Sequence, residues 1–133
     1  FVYTTDWAGR PVVSDRLHWV VAEAIAAAAV LANVTGGEVY ASSYADWWDY
    51  AATNFIDLHN GSWHHQLDSK NRPSSTVWSG KPDLYHAYQA VVISQLPPST
   101  SVAAGILSAM PGGDPVRRRD RSPRACPYRA GKW

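Results

Sequence analysis

The chain of 133 residues is 46% hydrophobic and 17% charged, which excludes a protein that is disordered throughout. Its formal net charge of +1 is unevenly divided, because residues 1–110 carry a net charge of −4 and residues 111–133 one of +5. The single cysteine, Cys126, excludes an internal disulfide. The longest apolar run, Trp19 to Asn33, is interrupted by Glu23 and is too short to span a bilayer. A soluble cytoplasmic protein with one modest domain is therefore expected.

Helices are predicted to dominate the first half of the chain. Residues 1–13 favour a β-hairpin, since two β-prone segments flank a turn signal. Ser14 or Asp15 is the predicted cap of a long alanine-rich helix, which a Gly-Gly pair ends. A second helix with an aromatic stripe is expected from about Glu38 to Ile56.

The second half alternates an irregular segment with shorter helices. Residues 57–82 lack a helical period and contain turn signals around one strand-like segment, Ser62 to Leu67. A third helix is predicted from Pro82 to about Gln95, and a short fourth one from Ser99 to Met110. Residues 111–133, rich in Arg, Pro and Gly, are predicted to form a disordered tail. These elements favour an all-α protein of α/α type with β-hairpins inserted between helices.

Two side chains near the start of the first predicted helix share one face, because they lie four residues apart. Trp19 offers an aromatic platform for the C–H face of a sugar, and Glu23 offers a carboxylate for its hydroxyl groups. A solvent-facing glutamate on an amphipathic helix is an equally good interpretation of Glu23 from its position alone.

The strand-like segment carries Trp63, His64, His65 and Gln66. Adjacent histidines on a strand point to opposite faces and cannot easily share one metal, and no spacing in the chain resembles a zinc site. No metal and no other cofactor is therefore expected. The two histidines are interpreted as the rim of a hairpin, while Trp63 and Gln66 are weaker candidates for contact with a ligand.

His86 falls near the start of the third predicted helix, with Gln89 on the same face. Free backbone amides and the positive end of the helix dipole disfavour a charged imidazole there and favour one that can act as a base. Spacing alone favours a structural histidine. If alternate helices run parallel around a barrel, however, His86 meets His18, Trp19 and Glu23 in a pocket.

The segment before His86, Ser79-Gly80-Lys81, is superficially like a phosphate-binding loop. It lacks the two-glycine pattern of a Walker motif, and a proline follows Lys81. A nucleotide site is therefore excluded.

Three segments together resemble a known family. RLHWVVAEAIAAAAVL and WSGKPDLYHAYQAVV, in this order around WDYAATNFID, are similar to the closing part of mannose isomerase-like members of the N-acylglucosamine 2-epimerase superfamily. The resemblance covers about residues 1–110, including the hairpin FVYTTDWAGRPVV, and does not extend to residues 111–133. It implies the last helices of an (α/α)6 barrel, with a sugar site at the end where the inner helices begin.

The resemblance also implies a chemistry. Members of the family transfer a proton at the carbon next to a sugar carbonyl, usually without metal, with two histidines as acid and base and an enediol-like intermediate. His86 occupies the histidine of the family's KPDxYH motif and is the expected catalytic residue. Glu23 occupies the position of a glutamate that contacts sugar hydroxyls, with Trp19 beside it.

The family's second catalytic histidine belongs to an N-terminal region that this sequence lacks. His18, His59, His64 and His65 do not match it. A C-terminal fragment that is inactive alone is therefore expected.

The leading functional hypothesis is an isomerase that interconverts an aldose such as mannose with its ketose, with a monosaccharide as substrate. One alternative is a 2-epimerase acting on an N-acylglucosamine or a cellobiose-type disaccharide, and another is a non-catalytic carbohydrate-binding remnant. The basic tail could bind nucleic acid weakly, but solvated disorder is the favoured interpretation. Neither a nucleic acid nor a membrane is expected as a partner, and the oligomeric state is not predicted.

Overall fold

The computed structural model describes residues 1–111, so that Cys126 and nearly all of the predicted tail lie outside it. Within these residues, four helices alternate with short antiparallel strands. In chain order the elements are β1 (Thr4–Thr5), β2 (Pro11–Val13), β3 (Arg16–Leu17), α1 (His18–Thr35), α2 (Glu38–Asn54), β4 (Gln66–Leu67), β5 (Pro73–Ser74), α3 (Tyr85–Gln95) and α4 (Val102–Ala109). β1 pairs with β2, and β3, β4 and β5 form a second sheet in that order.

Helix α1 is the centre of the described fold, because both α2 and α3 pack against it. Its alanines are strong helix formers and allow neighbouring helices to approach closely. One face of α1 is fully buried at Val21 and Ile25, which pack with Phe55 after the end of α2. The rest of the core consists of Ala22, Ala51, Trp63, Leu67, Ala87 and Ala90.

The start of α1 differs from the sequence prediction. Neither Ser14 nor Asp15 caps the helix, which begins at His18 after Leu17 in an extended conformation. The physical reason is strand pairing, since β3 pairs with β4 and holds the chain extended up to the first helical residue. The carboxylate of Asp15 instead accepts a hydrogen bond from the side-chain amide of Gln66 at 2.9 Å.

The Gly-Gly pair ends α1 as predicted. Gly36 adopts a left-handed conformation with φ of 68°, and its N–H donates to the carbonyl of Ala32, four residues back. A residue with a Cβ would be strained at this φ, whereas glycine is not. The chain reverses there, and α2 runs antiparallel to α1, with its last turn against the first turns of α1.

The segment between α2 and α3 is irregular, as predicted, but its strand is shorter than the predicted Ser62 to Leu67. Only Gln66–Leu67 forms a strand, and Trp63 makes an isolated bridge with Ile56. Ser62 has a positive φ of 62°, which is incompatible with a continuous strand. β4 and β5 are joined by a tight turn, in which Asp68 accepts hydrogen bonds from the backbone of Lys70 and Arg72.

Helix α3 begins at Tyr85, three residues later than predicted. Pro82 is buried but lies before the helix, and Asp83 accepts the N–H of Tyr85 at 2.9 Å. The last helix, α4, has Ser101 as its N-cap, with the Ser101 side chain accepting the N–H of Ala104.

Helices α1 and α3 run parallel. Glu23, in the second turn of α1, contacts His86, in the first turn of α3. Further along both helices, Val30 and Ile93 line the same groove. The two helix starts therefore lie at one end of the described fold. This is the condition under which residues near the two starts were expected to share a pocket.

By length and composition alone, α1 is apolar enough to cross a membrane, with a mean hydropathy of 1.4 over 18 residues. The structure gives it the packing of a core helix, since its buried face meets α2 and α3. Its one charged side chain, Glu23, is paired with His86.

Candidate active site

A carboxylate and an imidazole meet where α1 and α3 begin. The Nδ1 atom of His86 lies 2.8 Å from Oε1 of Glu23, and the two side chains are 27% and 48% exposed. The pair is thus supported by the protein on one side and open on the other. An ionised carboxylate at this distance holds the imidazole with its N–H on Nδ1 and stabilises the imidazolium that forms when the ring takes up a second proton. The Nε2 atom then remains as the basic nitrogen.

Aromatic rings surround His86. The ring of Trp19 lies 6.1 Å from it between centroids, and that of Tyr85 lies 4.8 Å away in an edge-on arrangement. Trp19 is 36% exposed and is steadied by an edge-to-face contact with Tyr3. A partly exposed indole beside a carboxylate and an imidazole offers an apolar surface next to two hydrogen-bonding groups. Sugars, which have C–H faces and hydroxyl edges, match that combination.

Two further histidines lie behind His86. The ring of His18 makes edge-to-face contacts with His86 at 5.8 Å and with His65 at 5.0 Å. The ring of His65 stacks on Trp78 at 5.4 Å with an interplanar angle of 19°. We call these three imidazoles, of His18, His65 and His86, the histidine cluster.

The interior member of the histidine cluster is held neutral. The side chain of His18 is 2% exposed. Burial lowers its pKa from 6.5 to about 4, and the electrostatic effects of the His65 and His86 rings act in the same direction, partly offset by the backbone hydrogen bond to His65. At neutral pH the protein therefore keeps an uncharged ring directly behind His86.

The structure brings together three of the predicted site residues, His86, Glu23 and Trp19, but gives two others positions in the interior. Trp63 is 8% exposed and belongs to the hydrophobic core. Gln66 is fully buried, and its amide donates to Asp15 and Thr76. Its side-chain oxygen also accepts the backbone N–H groups of the segment Val77-Trp78. These two side chains act in packing and in fastening a loop, and their proposed contact with a ligand stays a prediction.

Gln89, the remaining predicted residue, lies one turn after His86 on α3 and is half-buried. Its side chain makes no hydrogen bond within residues 1–111. Its predicted role in substrate binding stays a prediction.

An ion pair that the sequence analysis did not identify fastens the segment before α3. Nζ of Lys81 lies 2.5 Å from Oδ2 of Asp57, whose side chain is only 9% exposed. The same carboxylate accepts the backbone N–H groups of His59 and Asn60. The hydrogen bond from Lys81, followed by those from Asn60, holds the pKa of Asp57 well below its ordinary value. Lys81, in the GKPD segment five residues before His86, is the sequence feature from which this ion pair could have been predicted.

His65 was absent from the predicted site, whereas His18 was placed in it, beside Trp19 and Glu23 near the start of the first predicted helix, without a chemical role. The meeting of His18 and His65 depends on the pairing of β3 with β4, in which the N–H of His18 donates to the carbonyl of His65 at 3.2 Å. Pairing between residues 47 positions apart leaves no local pattern in the sequence. Among residues 1–111, no three His, Cys, Asp or Glu side chains are grouped so that they could hold a metal ion.

Comparison with known proteins identifies the family. The family model of N-acylglucosamine 2-epimerase (GlcNAc 2-epimerase) matches residues 1–90. This chain belongs to the N-acylglucosamine 2-epimerase family. The match includes α1, with Glu23, and the first turns of α3, with His86.

Its relatives in the family include enzymes named for mannose. The chain is 55% identical over 107 residues to a D-mannose isomerase of Thermobifida fusca, a match that covers 80% of this chain and 26% of that protein. It is 50% identical over 113 residues to a D-mannose isomerase of Pseudomonas cannabina pv. alisalensis, covering 85% of this chain and 26% of the other. The chain thus spans about a quarter of the length of these relatives.

A solved structure shows the same arrangement of elements. The crystal structure of a D-mannose isomerase superposes with a TM-score of 0.61 at 28% sequence identity, covering 68% of this chain and 25% of that one. The mostly helical fold of the matched residues is therefore similar to part of that D-mannose isomerase.

Proposed function

We propose that this chain supplies part of the active site of an aldose–ketose isomerase acting on mannose or a similar monosaccharide. The observation that carries the proposal is the 2.8 Å contact between His86 and Glu23 at the paired starts of α1 and α3. Two relatives that are 50% or more identical to the chain are named D-mannose isomerase, which supports the choice of sugar. The parallel α1 and α3, with α2 antiparallel between them in sequence, support the further proposal of an (α/α)6 barrel.

In the proposed reaction, Nε2 of His86 exchanges a proton with the substrate carbon skeleton. A base removes the proton from C2 of the open-chain aldose, and the electron pair of the C–H bond forms a C1–C2 double bond. The carbonyl oxygen at C1 gains a proton, which gives an enediol. Return of a proton to C1, with loss of the proton from the C2 hydroxyl, yields the ketose. A histidine suits this task because its ordinary pKa lies near neutrality.

Glu23 and Trp19 have supporting roles in this scheme. Glu23 keeps the N–H of His86 on Nδ1 and stabilises the ring when it is protonated, and its second carboxylate oxygen can accept a sugar hydroxyl. Trp19 provides the apolar surface for the sugar's C–H face. A second acid–base group is expected from the part of the relatives that this chain does not span, so the chain alone is expected to be inactive.

A 2-epimerase is the second candidate, favoured by the name of the family whose model matches. Both reactions begin with removal of the C2 proton, and they differ in where a proton returns. An isomerase delivers it to C1, whereas an epimerase delivers it to C2 from the opposite face. Product identity therefore separates the two.

The test uses the full-length protein, expressed from its complete coding sequence. Exchange of the C2 proton of mannose in deuterated water is followed by NMR, together with the appearance of ketose or epimer. We expect exchange with ketose formation, and a loss of about 10²- to 10⁴-fold in His86→Ala, the usual contribution of a general acid or base.

A matched control is His59→Ala, which makes the same change at an exposed histidine in the loop. It should retain wild-type exchange. Absence of exchange with every aldose and N-acylhexosamine would contradict the proposal and leave carbohydrate binding without catalysis. Wild-type exchange in a folded His86→Ala protein would show that another group is the base.

A further inference from the structure

The contact with Glu23 does not by itself fix the orientation of the His86 ring. One hydrogen bond at Nδ1 places that atom but allows the ring to turn about the hydrogen-bond axis. A second constraint is needed to direct Nε2 consistently at a substrate carbon. Misplacement by about 1 Å can lower the rate of a chemical step about 10²-fold.

The rings of Trp19 and Tyr85, which also contact His86, are themselves exposed, whereas the buried ring of His18 is placed to supply a firmer constraint. It meets His86 edge to face, at 5.8 Å between centroids and 72° between planes. Such contacts are a favoured geometry for aromatic rings. The ring of His18 is itself held from behind by His65, at 5.0 Å and 79°, and His65 is stacked on Trp78.

The backbone also restrains His18. It is the first residue of α1, directly after β3, and its N–H donates to the carbonyl of His65. Strand pairing and ring contact therefore fix the same two residues relative to one another. A side chain with these restraints is a rigid support for a neighbour that is 27% exposed.

The nitrogen atoms of His18 are not used in this support. Both Nδ1 and Nε2 are buried and have no hydrogen-bond partner within residues 1–111. Leaving buried polar atoms unpaired destabilises a folded protein. A ring of similar shape without nitrogen atoms would avoid that cost and keep the contact with His86.

We propose that His18 is a positioning residue for His86, acting through the packing of a buried, uncharged ring against the imidazole that Glu23 holds. The proposal rests on the proposed function in taking His86 as the acid–base group. The charged or titratable groups near His18 are His65, before β4, His86, on α3, and Asp83, just before α3. A neutral His18 does not oppose the charge that His86 gains during proton transfer.

The first test compares three variants in the full-length enzyme with mannose as substrate. His18→Phe keeps a ring, His18→Leu keeps much of the volume without one, and His18→Ala removes the contact. We expect kcat of His18→Phe to stay within about threefold of wild type, and kcat of His18→Ala to fall about tenfold to hundredfold with little change in KM. His18→Leu should fall in the same direction and serves if His18→Ala does not fold.

Two outcomes would overturn the proposal. Wild-type kcat in a folded His18→Ala or His18→Leu protein would show that His86 needs no support from this ring. A loss of kcat in His18→Phe as large as in His18→Ala would show that the nitrogen atoms of His18 are required.

A second test measures how firmly the His86 ring is held, without measuring turnover of a sugar. In protein labelled with ¹⁵N-histidine, the Nδ1–H signal of His86 should remain sharp in wild type and in His18→Phe, and should broaden or shift in His18→Ala. Unchanged signals in His18→Ala would contradict the proposal. If these signals behave as expected while no sugar is turned over, the positioning stands and the proposed function fails.

Discussion

Glu23 and His86 are 63 residues apart in the sequence, yet Oε1 of one lies 2.8 Å from Nδ1 of the other. The contact joins the second turn of α1 to the first turn of α3 and sets the relative positions of the two helix starts. It also occupies Nδ1 of His86 and leaves Nε2 outside the contact.

Replacing Glu23 by Gln removes the negative charge while keeping the size of the side chain. We expect kcat of the full-length enzyme to fall about tenfold to hundredfold, because a neutral amide stabilises the imidazolium less well. The effect should be smaller than that of removing His86, since Glu23 is 48% exposed and its charge is partly screened. Steady-state kinetics with mannose measure the change.

Glu38→Gln is the matched control for this substitution, because Glu38 is exposed in the first turn of α2. It should leave kcat unaltered. Wild-type kcat in Glu23→Gln would show that the carboxylate is dispensable for the reaction.

The ion pair of Asp57 and Lys81 predicts a dependence of stability on acid. The pKa of Asp57 is lower in the folded protein than its ordinary value of 3.8, so its stabilising effect is fully present above pH 4 and is lost as the pH falls below that. In Asp57→Asn, Tm at neutral pH should fall, and the difference from wild type should shrink at pH 2–3. Thermal unfolding followed by circular dichroism between pH 2 and 7 measures both effects.

Asp46→Asn, on the exposed side of α2, is the control for Asp57→Asn and should change Tm little at any pH. A difference between Asp57→Asn and wild type that persists unchanged at pH 2 would show that the charge of Asp57 is not what stabilises the loop.

Phe55 is fully buried beside Val21 and Ile25, so its removal should leave a large cavity. We expect Phe55→Ala to lower the free energy of unfolding by about 3–5 kcal/mol. Leu58→Ala, three residues later at a side chain that is 90% exposed, should change it by less than about 0.5 kcal/mol. Urea unfolding of the two variants provides the comparison, and equal losses would contradict the core assignment.

The lowered pKa of His18 predicts a second pH range in which stability depends on pH. The group that titrates here is a base, whereas Asp57 is an acid. The pKa of His18 falls from 6.5 to about 4 on folding, so the unfolded chain binds a proton between these values and the folded protein does not. Stability should therefore be lost as the pH falls from 6.5 to 4. His18→Phe should flatten that part of the profile, and an identical slope in the variant and wild type would show that His18 does not titrate in this way.

The helices could be predicted from the sequence because their signals are local. Apolar spacing and the glycine pair located α1 and α2 to within a few residues, and Pro82 was the signal that placed His86 near the start of a third helix. The true start of α1 could not be predicted in this way. Pairing of Arg16–Leu17 with Gln66–Leu67 keeps an otherwise suitable capping residue, Asp15, out of the helix.

The same long-range pairing explains why the positions of some candidate site residues could be predicted and those of others could not. His86, Glu23 and Trp19 were accessible to prediction, since each lies near the start of a helix. Gln66 is a weaker candidate for contact with a ligand, and its burial could not be predicted because a buried amide with four partners is indistinguishable in sequence from an exposed one. The nearness of His18 to His65 likewise depends on tertiary contact alone.

The turn between β4 and β5 has a consequence for engineering the length of this segment. Ser69 and Lys70 are exposed at its tip, while the chain on its C-terminal side is fastened by Gln66 at Val77-Trp78 and by Asp57 at Lys81. Extra residues inserted at the tip would extend into solvent. The two attachments would prevent the insertion from shifting α3. The tip is thus a natural place for a tag or a recognition peptide, and the segment from Thr76 to Lys81 is not.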